Sequence, residues 1–296
     1  MPKVPAKPAA KLPSPAAAKI KKATKIEKTV IGDCTIYHGD CMEVMATLAN
    51  ASIDLILTDP PYGHNNNDGD LISIIEKVQT RSKSYNSQVS TLDREARPIA
   101  NDGKEADDLY KHLLQEATRI LTKDGGCCCC CCGGGGPDPQ FARWSMWMDE
   151  VLTFKQMIVW DKGPLGLGWH YHRSYETILV GHRGPKGKWY DTSKRVENII
   201  RPLRYGVRKI IPSATFHPTE KPVMLAEFFI ENHTQPGDIV LDPFMGRGWA
   251  GVAAVRMGRK FIGIELDRHW YEEACKRLRK VVEVGVVPKH ERGSAF

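Results

Sequence analysis

Residues 239–265 read IVLDPFMGRGWAGVAAVRMGRKFIGIE, and this stretch decides the fold. The apolar run 239–241 predicts a strand, a glycine-rich turn follows it, residues 249–257 predict a helix, and residues 261–265 predict a second strand. A strand, a helix and a strand joined by short connections form a right-handed parallel unit. We therefore expect an α/β fold with a Rossmann-like, doubly wound sheet.

Further segments extend this unit in both directions along the chain. Residues 52–57 read SIDLIL, a nearly continuous apolar run that is typical of a strand buried on both faces of a parallel sheet. Residues 34–38, 156–160 and 176–180 predict more strands. Apolar residues at helical spacing predict helices over 106–121 and over 268–282, the first of which should end at Lys123–Gly126. A further helix is predicted after Thr219, with Pro222 in its first turn.

Six consecutive cysteines, residues 127–132, lie between a predicted helix and four glycines. Zinc sites use spaced cysteine pairs, whereas free cysteine packs as a small hydrophobic residue. The run therefore predicts a buried strand, with metal or redox chemistry as the alternative. Adjacent cysteines cannot form spaced disulfide cross-links either, so we expect a reducing cytoplasm.

The formal net charge of +7 on the 296 residues resides entirely in residues 1–28, which contain eight lysines and one acid, Glu27. This Lys/Pro/Ala segment predicts a disordered basic tail. It either attracts polyanions or only adds solubility. No run of about 18 apolar residues predicts a membrane helix, and no secretory signal is expected. Residues 286–296 are expected to be a C-terminal tail.

The turn at residues 242–248 is predicted to approach a nucleoside ligand. Its glycines permit close backbone contact, and a helix N-terminus follows. Glu265, 19 residues after Gly246, ends the next strand, where a carboxylate accepts hydrogen bonds from ribose hydroxyls. Asp242 precedes the glycines, and a carboxylate there disfavours a pyrophosphate. The cationic methyl donor S-adenosylmethionine is therefore favoured over NAD as the cofactor.

A second candidate site, Asp59-Pro60-Pro61-Tyr62, stands at the carboxyl end of a buried strand, where open α/β sheets place ligands. Two prolines stiffen the turn and remove two N–H donors. The turn then presents a carboxylate, backbone carbonyls and an aromatic ring, which suit a planar base bearing an amino group. An ordinary turn after a strand is the alternative.

These residues resemble the β-class amino-methyltransferases of DNA. The three blocks that carry the resemblance occur in that class's order: residues 58–62 (TDPPY), 217–222 (HPTEKP) and 241–248 (LDPFMGRG). The resemblance covers roughly residues 30–285, and it implies a seven-stranded methyltransferase sheet and methyl transfer from S-adenosylmethionine. No metal is expected.

Site roles are carried over from this resemblance. It implies that Asp59 and Pro60 hold the target amine, that Pro61 completes the stiff turn, and that Tyr62 stacks on the base. The implied cofactor-binding residues are Asp40, Lys221, Asp242, Pro243, Phe244, Gly246, Gly248 and Glu265.

Two features keep the function open. Arg247 and Trp249 stand where the family commonly has Ser and Thr, so a protein that binds DNA without turnover is one alternative. Asp59 at the head of the motif is similar to adenine-N6 enzymes, whereas serine is more common in cytosine-N4 enzymes. We therefore expect a site-specific adenine-N6 methyltransferase acting on double-stranded DNA, with a cytosine-N4 enzyme as the other alternative.

Residues 183–209 hold nine basic residues and two acids, with three aromatic residues between them. A flipped target base requires contacts to phosphates and to a groove elsewhere on the protein. The predicted domains are a catalytic half over 29–160 with a mobile loop at 63–104, a target-recognition region over 161–216 and a donor half over 217–285. A homodimer is compatible with this organisation. The predicted DNA-binding residues are Arg183, Lys186, Lys188, Lys194, Arg195, Arg201 and Arg204.

Overall fold

The computed structural model describes residues 25–63, 102–131, 140–161, 174–193, 195–201 and 221–286. Within these ranges, one sheet has the strand order β1-β2-β9-β8-β3-β4-β6-β5-β7. The strands are β1 (Glu27–Ile31), β2 (Cys34–His38), β3 (Ile53–Thr58), β4 (Leu121–Cys131), β5 (Thr153–Asp161), β6 (Tyr175–His182), β7 (Ile199–Ile200), β8 (Ile239–Asp242) and β9 (Lys260–Glu265). The helices are α1 (Cys41–Thr47), α2 (Glu105–Ile120), α3 (Gln140–Val151), α4 (Val223–His233), α5 (Trp249–Arg256) and α6 (Arg268–Val284).

Two separate hydrophobic clusters lie against this sheet. One contains residues of α4, α5 and α6, and the other contains residues of α1, α2 and α3. Helices therefore cover both faces, which confirms the predicted doubly wound, Rossmann-like α/β fold. The expectation of seven strands was too low, because the described part of the chain adds β1 and the two-residue β7 at the sheet edges.

Strand direction determines which residues can meet. β2, β9, β8, β3 and β4 are parallel neighbours, whereas β6 runs antiparallel to both β4 and β5. The carboxyl ends of the parallel strands therefore share one edge of the sheet with the beginning of β6. We call this the carboxyl edge, and the opposite side the amino edge.

The N-terminal boundary predicted at residue 28 is two residues too late. β1 begins at Glu27, which pairs with His38 on β2. The Glu27 carboxylate also forms an ion pair with Arg268 at the start of α6. These contacts tie residues 27 and 28 to the sheet, while residues 1–24 and 287–296 lie outside the described ranges.

The cysteine run forms a strand, as predicted, between β3 and β6. Cys127, Cys128 and Cys129 are fully buried free thiols, and Cys132 lies outside the described residues. The predicted end of the preceding helix was wrong: α2 ends at Ile120 and β4 begins at the next residue. Gly126 belongs to the strand because it pairs with Leu55.

Part of the predicted target-recognition region, 161–216, belongs to the sheet. Its described residues include β6, which is an interior strand between β4 and β5, and β7, which pairs with β5. Residues 162–173, 194 and 202–216 lie outside the described ranges. In the described part of the chain, no helix has the length and apolar character needed to cross a bilayer.

Candidate active site

The two candidate motifs begin at the ends of neighbouring strands. β3 and β8 pair in parallel, so that Thr58 and Asp242 both reach the carboxyl edge. The Thr58 hydroxyl donates a hydrogen bond to Asp242 Oδ1 at 2.7 Å, and both residues are fully buried. The sheet thus joins the two motifs directly, although 184 positions separate them along the chain.

Asp59 is the centre of a buried polar cluster. Lys221 Nζ donates to Asp59 Oδ2 at 2.6 Å, and the Tyr62 hydroxyl donates to Asp59 Oδ1. Lys221 Nζ also lies 3.4 Å from Glu176 Oε2 and 5.4 Å from the centre of the Tyr62 ring. The structure therefore places Lys221, which was predicted to serve the donor, against the carboxylate of Asp59, which was predicted to be catalytic.

Burial dominates the electrostatics of Asp59. Loss of hydration raises the pKa of Asp59, the neighbouring Lys221 ammonium lowers it, and the Glu176 carboxylate raises it further. A carboxylate whose pKa is raised is a better proton acceptor than an exposed one. This turn can therefore accept hydrogen bonds from an amine and also a proton released by it.

Asp102 is a site residue that the sequence analysis missed. Its Oδ1 accepts hydrogen bonds from the backbone N–H groups of Tyr62 and Gly63, at 2.8 and 2.7 Å, and its side chain is 1% exposed. It belongs to the loop at 63–104 that the sequence predicts to be mobile, of which residues 64–101 lie outside the described ranges. The adjacent Asn101 and Gly103 made Asp102 look like a turn residue, and spacing carried no signal for a contact across 40 positions.

The loop after β8 has the backbone geometry that its glycines suggested. Gly246 and Gly248 have φ angles of 51° and 77°, in the left-handed region that disfavours other residues. Gly248 immediately precedes α5, so the backbone turns sharply into the helix. Pro243 and Phe244 lie between Asp242 and these glycines, and the Phe244 N–H donates to Asp242 Oδ1 at 3.1 Å.

Two acids frame this loop. Burial raises the pKa of Asp242 to about 7 and the pKa of Glu265 to about 7. Glu265 accepts hydrogen bonds from the N–H groups of Gly246 and Asp267, at 2.9 and 2.8 Å. It therefore holds the glycine turn in place, besides standing where a ribose contact was predicted.

Asp40 lies at the same edge, one residue after Gly39, whose N–H donates to the Glu265 carbonyl at 3.0 Å. Its carboxylate caps α1 by accepting from Met42 N at 2.8 Å, and the side chain is 4% exposed. Register explains the proximity, because His38 on β2 pairs with Glu265 on β9. The structure thus brings together Asp40, Asp242 and Glu265 from three neighbouring strand ends.

This set of groups fits a cationic nucleoside. Asp242 Oδ2 is buried and has no hydrogen-bond partner among the described residues, and a buried carboxylate oxygen of this kind is stabilised by a nearby positive charge. S-adenosylmethionine carries a sulfonium and an ammonium. Asp242 and Glu265 would hold its charged and ribose portions, with Asp40 at the same edge of the sheet and Phe244 next to Asp242.

Trp249, one of the two departures from the expected pattern, does not lie on the surface. It is 4% exposed, begins α5, and belongs to the same core cluster as Ala274 and Leu278. The indole at this position therefore contributes to the packing of α5 on the sheet. Arg247 precedes the helix, and its carbonyl accepts a long hydrogen bond from Arg277 Nη1 at 3.4 Å.

The predicted DNA-binding residues fall on opposite edges. Arg183 donates to the Leu121 carbonyl at 2.5 Å, and Lys188 Nζ lies 2.6 Å from Asp54 Oδ1, so both are engaged at the amino edge, away from Asp59. Exposed Lys186 lies beside them, since its N–H donates to Asp124 Oδ1 at 3.4 Å. Their position does not fit DNA bound at the catalytic edge, because β3 and β4 begin there.

Arg201 is placed differently. It follows β7, which runs parallel to β5, and it therefore lies at the carboxyl edge, where it forms an ion pair with Glu197 at 2.9 Å. Arg195 is exposed, and Lys194 and Arg204 lie outside the described residues. Of the predicted basic residues that are described, Arg201 is the one whose strand position suits contact near Asp59.

A family model and a curated relative each match most of this chain. The DNA methylase family model matches residues 53–276. The type II methyltransferase M.HinfI of Haemophilus influenzae is 30% identical over 266 residues, which cover 83% of this chain and 68% of that protein.

Two solved structures share the fold. The complex of M1.HpyAVI with SAM is 27% identical, with a TM-score of 0.54 over 83% of this chain and 100% of that one. The PvuII DNA methyltransferase, described as cytosine-N4-specific, has a TM-score of 0.60 over 86% of this chain and 92% of that one. At 19% identity, this second likeness concerns the fold alone.

Proposed function

Since this chain belongs to the DNA methylase family, we propose that it methylates adenine at N6 in double-stranded DNA, at a specific sequence. S-adenosylmethionine is the methyl donor. The observation that carries the proposal is the buried carboxylate of Asp59 at the carboxyl edge, held between Lys221 and Tyr62. An aspartate, rather than a serine, at this position resembles the adenine-N6 enzymes.

The turn activates the amine by hydrogen bonding. An exocyclic amine is a weak nucleophile, because its lone pair is delocalised into the ring. The Asp59 carboxylate and the Pro60 carbonyl accept the two amine hydrogens, which favours a pyramidal nitrogen with a localised lone pair. Pro61 keeps the turn stiff, Asp102 holds the backbone at Tyr62, and the Tyr62 ring stacks on the base.

Methyl transfer from the sulfonium to the amine requires no third reactant. The nitrogen lone pair forms the new N–C bond as the C–S bond of the sulfonium breaks, and the electron pair of that bond stays on sulfur. The methylated nitrogen then carries a positive charge and two hydrogens. One of these leaves as a proton to the Asp59 carboxylate, whose raised pKa suits this role.

The donor is assigned to the adjacent loop. Lys221 belongs to the neighbouring cluster, so the residues we assign to donor binding are Asp40, Asp242, Pro243, Phe244, Gly246, Gly248 and Glu265. Their charge supports the assignment, since two buried carboxylates with raised pKa values favour a cation.

The DNA must present the base outside the duplex, because a stacked adenine cannot reach a buried carboxylate. We infer that the target is flipped toward the carboxyl edge and that Arg201 contributes a phosphate contact there. Lys194, Arg195 and Arg204 stay predictions for the same role. We infer that the protein acts in the cytoplasm of a bacterium, because its relative M.HinfI comes from the bacterium Haemophilus influenzae.

The decisive experiment identifies the product. The protein is incubated with unmethylated plasmid and S-adenosylmethionine, and the DNA is digested to nucleosides and analysed by mass spectrometry. N6-methyladenine is the expected product, and the Asp59→Asn protein is the matched negative control. N4-methylcytosine would replace the adenine assignment, and DNA binding without either product would support a protein that binds without turnover.

A further inference from the structure

A second carboxylate, Glu176, lies in the catalytic cluster although it belongs to none of the three sequence motifs. Its Oε2 atom is 3.4 Å from Lys221 Nζ, which is itself 2.6 Å from Asp59 Oδ2. The side chains of Lys221, Asp59 and Glu176 are 5%, 12% and 15% exposed. One ammonium is therefore shared by two carboxylates that have little exposure to solvent.

The reversed direction of β6 explains how Glu176 reaches this cluster. Glu176 is the second residue of β6, and a residue at the start of a parallel strand would lie at the amino edge. Because β6 is antiparallel, its first residues lie where β4 ends: Thr177 pairs with Cys131. Glu176 itself pairs with Trp160 near the end of β5.

Both oxygens of Asp59 are already engaged in this cluster. Oδ2 accepts from Lys221, and Oδ1 accepts from the Tyr62 hydroxyl. An incoming amine needs a carboxylate oxygen as its acceptor. An amine that binds at Oδ2 displaces the Lys221 ammonium. A buried ammonium that leaves one carboxylate with no second carboxylate to receive it is an unpaired charge, at a large cost.

We propose that Glu176 is a positioning residue for methyl transfer, which receives the Lys221 ammonium when the target amine takes its place at Asp59 Oδ2. The inference rests on the proposed function of Asp59. Lys221 Nζ needs to move only from 3.4 Å to hydrogen-bond distance of Glu176, while it moves away from Asp59. The ammonium stays paired throughout, and Asp59 regains a lone pair for the amine.

The same arrangement serves the proton that leaves the methylated nitrogen. Lys221, Tyr62 and Glu176 act on the ionisation of Asp59, and Asp59 in turn acts on that of Asp242. With Lys221 drawn to Glu176, the carboxylate of Asp59 has less opposing positive charge beside it. It therefore accepts the proton more readily, becomes a neutral acid, and later releases the proton to water.

The test compares Glu176→Gln with Glu176→Asp. Glutamine keeps the shape but cannot hold the ammonium as a carboxylate does, whereas aspartate keeps the charge. We expect Glu176→Gln to lower kcat by about 10- to 100-fold, since a misplacement of about 1 Å costs rates of that order. The acid limb of its kcat–pH profile should move to lower pH, because removal of a negative charge lowers the pKa of Asp59. The calorimetric Kd for S-adenosylmethionine should not change.

Glu227→Gln is the matched control, since Glu227 forms a buried ion pair with Arg256 at 3.1 Å between α4 and α5, outside the cluster. Its acid limb should coincide with that of the unmodified protein.

A Glu176→Gln protein with an unchanged kcat, or with a lower kcat and an unmoved acid limb of the kcat–pH profile, overturns the inference. The inference is also overturned if the acid limb of the kcat–pH profile moves as far in the Glu176→Asp protein as in the Glu176→Gln protein. Failure of the unmodified protein to methylate DNA would instead overturn the proposed function.

Discussion

Thr58 Oγ1 donates a hydrogen bond to Asp242 Oδ1 across 2.7 Å, and this contact joins the end of the catalytic strand to the start of the donor loop. The bond lowers the pKa of Asp242, in opposition to burial, which raises it. The ionisation of Asp242, in the proposed donor site, therefore depends on the residue that precedes the proposed catalytic Asp59.

Replacing Thr58 with Val should weaken donor binding without disturbing the sheet, because valine has a similar shape and lacks the hydroxyl. We expect the binding free energy for S-adenosylmethionine to fall by about 1.5–3 kcal/mol at pH 7, the range for a hydrogen bond to a charged group. Part of the loss should be recovered at pH 9, where Asp242 is ionised in either protein. Calorimetry at the two pH values measures both effects. Thr118→Val, which removes a bond to a helix carbonyl, is the control.

Donor binding by the unmodified protein should tighten from pH 6 to pH 8. The pKa values of Asp242 and Glu265 are raised to about 7, so their carboxylates ionise over this range and attract the cationic donor.

Without donor, the folded chain holds protons that the unfolded chain loses above pH 4–5. The contribution of these two groups to the free energy of unfolding therefore declines as the pH rises through 7.

The measurement for this prediction is the rise in Tm caused by S-adenosylmethionine, which should be larger at pH 8 than at pH 6. Glu265→Gln should reduce the binding free energy by about 1–3 kcal/mol, since Glu265 also holds Gly246. Exposed Glu283→Gln is the control. Equal Tm increases at the two pH values would contradict the assignment of these acids to the donor.

Replacing Asp59 with Asn should abolish methyl transfer while the protein stays folded. Lys221 keeps Glu176 as an ionic partner in this variant, so no buried ammonium is left unpaired. We expect no detectable methylated nucleoside, an unchanged Kd for S-adenosylmethionine and a Tm close to that of the unmodified protein. Asp33→Asn, an exposed position at the amino edge, is the control. Turnover comparable to that of the unmodified protein would rule out the proposed role of Asp59.

Replacing Asp102 with Ala should lower kcat more than it affects donor binding. The change leaves the N–H groups of Tyr62 and Gly63 without their acceptor and loosens the catalytic turn. A loss of about 1–3 kcal/mol in transition-state stabilisation corresponds to roughly 5- to 150-fold in kcat. Asp102→Asn retains an acceptor oxygen and should recover part of the rate. If the two variants have equal rates, the contact does not position the turn.

Removing residues 1–24 should weaken nonspecific DNA binding and flatten its dependence on salt. This segment carries six lysines and no acid, and each phosphate neutralised adds about 0.9 to the salt slope. The methylated base and the rate at saturating DNA should not change. An unchanged salt slope would mean that the segment has no role in DNA binding. A cut at residue 28 is the informative comparison, because it also removes Glu27, its pairing with His38 and its ion pair with Arg268.

The sequence by itself determined the sheet class, the two motifs and the methyl donor. These follow from local patterns: an apolar run at 52–57 that leads into Asp59, a glycine turn before a helix, and an acid 19 residues after Gly246. The cysteine strand was also predicted correctly, because a run of small apolar residues between a helix and a glycine loop is a local feature of the chain. The short helix α1 and the helix α3 were missed.

Only the tertiary structure decided which charged groups meet. Lys221 lies 162 positions from Asp59, and Asp102 lies 40 positions from Tyr62, so no local spacing predicts either contact. The antiparallel direction of β6 brings Glu176 to the carboxyl edge and takes Arg183 and Lys188 to the amino edge. Charge counts along the chain cannot make this distinction, since strand direction decides at which edge of a sheet each end of a strand emerges.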